Sequence, residues 1–157
     1  MKVEISCDSV EELERINLIF GDESKRKGMD IHVVCEKPDV EDIREILMQS
    51  GSKIGSVHFV KRTDGSLRKM CYRLHVSNPK YGKKPSGENR IRTPSRRVVD
   101  SKNDQMTVYD VNKVLRDRKG CVLRDPETNQ MCRGAYRTIP LENVKRICVN
   151  NITYEFE

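Results

Sequence analysis

The chain has no tryptophan, and only three phenylalanines and five tyrosines in 157 residues. So few aromatics exclude the broad stacking platform that single-strand nucleic-acid binders use. Long apolar runs are missing as well. No window approaches the ~18–20 uninterrupted apolar residues of a membrane span, and Met1–Ser6 lacks the apolar stretch of a secretory signal. The expectation is a cytoplasmic protein with no membrane contact. Gly82, Gly87 and Gly120 stand isolated, so no glycine-rich phosphate loop is formed. None of the three histidines, His32, His58 and His75, neighbours a Gly-flanked serine, a Cys-His motif or a recognisably spaced acid pair. Without a nucleophile, base or metal constellation the chain reads as a non-enzyme with no cofactor.

Six cysteines are present, at positions 7, 35, 71, 121, 132 and 148, but no two are separated by the two residues of a zinc knuckle. Most lie in apolar runs such as Val33-Val34-Cys35 and Ile147-Cys148-Val149. There a free cysteine behaves as a small buried hydrophobe. Reduced core thiols are expected, with no disulfide and no structural metal.

What the chain does have is charge, unevenly placed. Residues 1–50 carry seven Lys and Arg against 13 Asp and Glu, whereas residues 51–157 carry 23 against 11. Between Ser77 and Lys102 lie Lys80, Lys83, Lys84, Arg90, Arg92, Arg96, Arg97 and Lys102, against only Glu88 and Asp100. Such a cluster makes a positive potential that a polyanion relieves by releasing counterions.

Lys2–Cys7 alternates as a strand, and Ser9 with Glu12 forms a capping-box pattern opening a helix through Phe20. Met29–Cys35 reads as a second strand. Pro38 and Asp39 start a second helix with a Val40, Ile43, Ile46, Leu47 stripe. This order favours two parallel strands joined by a crossover, an acidic βαβα unit over residues 1–50. Gly51 and Ser52 mark a hinge.

From Ile54 the period becomes two. Ser56–Val60 and Leu67–Val76 form a hairpin around Asp64-Gly65, with Met70, Tyr72, Leu74 and Val76 on one face. Residues 77–104 hold almost nothing apolar and read as a long basic loop. Met106–Val111 resumes as a strand, placing Met106, Val108 and Asp110 on one face. Cys121–Leu123 is a candidate short strand, 125–129 a turn, Ala135–Ile139 and Val144–Val149 further strands, and Ile152–Phe156 an edge strand. Several short strands with turns between them suggest a small antiparallel barrel over residues 54–157.

The run from Val57 to Met70 (Val-His-Phe-Val-Lys-Arg-Thr-Asp-Gly-Ser-Leu-Arg-Lys-Met) resembles the opening hairpin of a phage-encoded family with a WYL-type, Sm-like SH3 barrel. That family continues with a basic Pro/Gly linker, a strand like Thr107–Val111 and a closing element like Gly134–Ile147. The likeness covers residues 55–149. It leaves out the βαβα front, and the 112–133 insertion is longer than the family pattern. It implies a small SH3-like barrel that binds nucleic acid or protein in an infected bacterium, and no catalytic constellation; with the βαβα unit read from residues 1–50, the expected fold class is α+β.

The functional expectation is low-specificity binding of double-stranded DNA that modulates host or viral transcription or the nucleoid. The expected contacts are the 77–102 cations already named, together with Lys61, Arg62, Arg116, Arg118 and Lys119. Arg68, Lys69, Arg133 and Arg137 extend that surface, and Tyr81 and Tyr136 are the only candidate stackers. The alternative is a protein-interaction module that redirects a host protein through its acidic helices.

Overall fold

The computed structural model describes residues 2–20, 28–76, 100 and 102–157. Eight strands lie in one mixed sheet: β1 (Lys2–Cys7), β2 (Asp30–Cys35), β3 (Gly55–Val60), β4 (Leu67–Arg73), β5 (Gln105–Val114), β6 (Arg133–Pro140), β7 (Val144–Val149) and β8 (Ile152–Phe156). Two helices, α1 (Val10–Phe20) and α2 (Val40–Met48), follow β1 and β2, and a 3-10 turn, Leu141–Asn143, links β6 to β7. The order across the sheet is β1-β2-β8-β7-β3-β4-β5-β6.

Local chemistry explains the helix starts. The Ser9 hydroxyl accepts from the Glu12 amide at 3.3 Å, and the Glu12 carboxylate reaches back to the Asp8 amide at 3.0 Å. The reciprocal arm thus lands one residue earlier than in the usual capping box. Asp39 caps α2 by accepting from the Asp42 amide at 2.9 Å. Leu13, Ile16, Ile43, Ile46 and Leu47 turn into one buried cluster with Ile31, Val33, Val57, Phe59, Tyr72 and Tyr154. That cluster draws on residues from both the acidic and the basic halves.

The expected βαβα unit followed by an SH3-like antiparallel barrel is not what forms. The sheet is open and continuous: among the described residues β6 bonds only to β5, so no barrel closes. The reason lies in β8. It runs parallel to β2 and antiparallel to β7, joining the N-terminal strands to the rest instead of lying at an edge. Ile152, Thr153, Tyr154 and Phe156 are all buried, on both faces of the strand, as an interior strand flanked by partners requires. Asn150 and Asn151, at φ of 50° and 64°, form the two-residue turn that delivers it.

The 112–133 insertion contains a repeat. Val114-Leu115-Arg116-Asp117 recurs as Val122-Leu123-Arg124-Asp125, and both copies fold alike. Asp117 accepts from the Lys119 and Cys121 amides at 2.8 and 2.9 Å, and Asp125 from the Glu127 and Thr128 amides at 2.9 and 3.4 Å. Arg116 donates to the Gly120 carbonyl, Arg124 to the Asn129 carbonyl, and both of those acceptor residues have positive φ. Cys121–Leu123 supplies a single bridge, Arg116 to Val122, in place of a strand. No described helix is long and apolar enough to cross a membrane.

Candidate nucleic-acid interface

Strand register places three charged side chains on the face that carries the apolar cluster. Arg68 lies two and four residues from Met70 and Tyr72, Tyr72 opposes Asp110, and Val108, two residues from Asp110, opposes Arg137. The cluster therefore gives way to charge along this end of the sheet. Asp110 is 3% exposed; it accepts from Arg68 Nη2 at 3.3 Å and from the Asn112 amide at 3.1 Å, and pairs with Arg137 Nε at 3.7 Å. A carboxylate so buried needs these partners.

One carboxylate does not balance the local charge. Lys113 is held below the usual lysine range, first by Arg137, then by burial, Arg68 and Arg116, with Asp110 opposing. Arg68 and Arg137 thus share one buried anion, with Lys113 close by, and these side chains line two concavities. One, of about 460 Å³, is lined by Phe59, Lys61, Arg62, Arg68, Tyr136 and Arg137 among others. The other, of about 500 Å³, includes His58, Lys69 and Lys113 and shares Arg68 with the first.

Val76 and Asp100, the described residues on either side of the basic 77–99 stretch, are both held by residues of the first cleft. Val76, which precedes it, is held by Tyr136, whose hydroxyl accepts from the Val76 amide at 3.2 Å. Tyr136 is 42% exposed and meets the buried Tyr109 ring edge-on at 5.3 Å. Asp100, which follows the stretch, is buried and accepts from the Thr107 amide at 2.7 Å, the Thr107 hydroxyl at 3.0 Å and Gln105 Nε2 at 3.2 Å. Both Gln105 and Tyr136 line the cleft.

The expected contact residues divide into groups. Lys61 lines the cleft and pairs with Asp64 at 3.3 Å. The Asp64 carboxyl is held down to about 2, chiefly by the Ser66 hydroxyl and amide, so that partner stays ionised in any neutral buffer. Arg62 also lines the cleft, but its guanidinium is engaged, donating to Glu142 at 2.6 Å and to the Asn103 carbonyl at 2.8 Å. Arg116 serves its own turn, while Arg118 and Lys119 are exposed on that turn outside both linings. Lys102 is exposed beside Asn103. Lys80, Lys83, Lys84, Arg90, Arg92, Arg96 and Arg97, with Tyr81, lie outside the described residues. Sequence reasoning missed Asp110 and Lys113. The pattern that reveals Asp110 is an acid in phase with Met106 and Val108, between strands carrying Arg68 and Arg137 in phase with their own core residues.

His58, on β3, is held below the usual histidine range by burial first, then by Arg146 and Lys69, with Glu155 opposing. Between that value and about 6.5 the unfolded chain binds more protons than the fold. This contribution to stability is therefore full above about pH 6.5 and declines as the pH falls toward the folded value. His58→Gln is expected to narrow the gap between urea midpoints measured near pH 7.5 and near pH 5. An unchanged gap would show that the loss lies elsewhere.

Comparison with protein-family models, curated proteins and solved structures finds no match to the chain.

Proposed function

We propose that the chain binds double-stranded DNA through phosphate contacts, with little preference for sequence. The observation carrying this reading is the grouping of Arg68, Arg137 and Lys113 around the single buried carboxylate of Asp110, beside a cleft whose lining residues Tyr136 and Gln105 hold Val76 and Asp100. Phosphates answer a need that the protein's own carboxylates leave unmet. A duplex is favoured over a single strand because only one exposed aromatic, Tyr136, lines the cleft. In the infected bacterium that the phage-family resemblance implies, such binding would modulate transcription or the nucleoid.

Lys113→Glu separates this role from a structural one. Because its neighbours are mainly cationic, the added carboxylate is expected to preserve or raise stability while weakening duplex binding several-fold. Urea unfolding and fluorescence anisotropy with a short duplex measure the two effects. Unchanged binding, or binding and stability lost together, would contradict the assignment.

A second reading rests on α1. Leu18 and Ile19 are 80% and 58% exposed on a helix that opens with Glu11 and Glu12. That combination suits a partner with an apolar patch and basic flanks. It becomes the leading reading if the chain shows no salt-sensitive affinity for DNA.

A further inference from the structure

The carboxyl ends of β1 and β2 bring two cysteines together, apart from the basic cleft. Cys7 and Cys35 are direct register partners on adjacent parallel strands. They are 2% and 6% exposed, and both line one cavity of about 110 Å³. In-register neighbours on a sheet project to the same side, ~4.8 Å apart. The cavity far exceeds the ~10–15 Å³ that one small occupant requires.

The geometry points to a two-thiolate site for a soft monovalent d10 cation of the Cu(I) type, held between Cys7 and Cys35. Two metal–sulfur bonds of ~2.3 Å each span ~4.6 Å, close to the strand spacing. A disulfide needs Cβ atoms ~3.8 Å apart and would draw the strands together. Zinc is disfavoured because it seeks four ligands. Among the described residues no third His, Cys, Asp or Glu completes such a cluster. Asp8 and Glu36, also on the lining, are hard oxygen donors that a soft ion leaves aside.

Binding exchanges protons for metal: Cu(I) and two thiols give a dithiolate complex of charge −1 and release two protons. Lys37 lines the same cavity, although its ammonium donates to the Glu142 carbonyl outside that lining. In the free protein the Cys7 thiol donates to the Ser9 carbonyl at 3.0 Å, a contact that metal binding would replace. Affinity should therefore rise with pH, as proton release demands.

The test is anaerobic titration of the full chain with Cu(I) against a competing chromophoric chelator, with native mass spectrometry for stoichiometry. One ion per chain is expected for the parent and for Cys121→Ser, which removes the exposed thiol. Cys7→Ser and Cys35→Ser should each lose that ion. Since a buried serine could disturb the fold, Cys7→Ala and Cys35→Ala provide a second measurement by thermal unfolding with Ag(I). The ion should raise Tm of the parent and leave both alanine variants unshifted. Failure of the parent to retain one ion, or retention by either Cys7 or Cys35 variant, would overturn the assignment.

Discussion

Tyr72→Ala is expected to destabilise the fold by about 3–5 kcal/mol. The ring is fully buried at the point where β4 meets α2, and its hydroxyl donates to the Leu47 carbonyl at 2.7 Å. It also fills the space above Gly55, where an added Cβ would lie 2.7 Å from ring atoms. Removing the ring opens a cavity between strand and helix that neither can close without moving the other. Tyr72→Phe isolates the hydroxyl's share and should cost only about 1 kcal/mol, the usual net value of one hydrogen bond. Urea unfolding of the two variants beside the parent gives both numbers. Near-equal losses would mean that the hydrogen bond, and not ring packing, joins α2 to the sheet.

How much of this was legible in the sequence can be judged at Tyr72 and at β8. The phase of Met70 and Tyr72 marks the buried face of β4, and Val40, Ile43, Ile46 and Leu47 mark α2, because period alone sorts inward from outward. Period does not choose partners. Ile152–Phe156 alternates as an edge strand would, except that Thr153 is buried. Its parallel pairing with β2, more than 100 residues away in the chain, comes from tertiary packing that no local pattern encodes. The same holds for the interface. The cations of 77–102 are plain in the composition. The Asp110 network became visible only when register set Arg68, Asp110 and Arg137 on one face. Arg62 shows the reverse: it reads as a free cation in sequence, yet its guanidinium ties the β3–β4 turn to Glu142.

The second large effect is on binding. Replacing Arg90, Arg92, Arg96 and Arg97 together with alanine removes four of the cations between Ser77 and Lys102. If each meets one phosphate, the slope of log K against log salt should flatten by about 3.6, at about 0.9 per contact. Affinity for duplex DNA near 0.15 M salt should fall steeply. The sheet and its buried cluster are built from other residues, so the urea midpoint should barely move. Lys83→Arg and Lys84→Arg should change little, since a phosphate contact needs a nearby cation and not a particular fork geometry. A quadruple variant that binds as tightly as the parent would remove these arginines from the contact surface.

The most direct measurement of the central claim is a salt titration of duplex binding by the parent chain. Lys61, Lys113 and the cations of 77–102 together supply more than five candidate phosphate contacts. The expected slope of log K against log salt is therefore steeper than about −4, with similar values for duplexes of unrelated sequence. A slope near zero, or no duplex binding at low salt, would contradict the account.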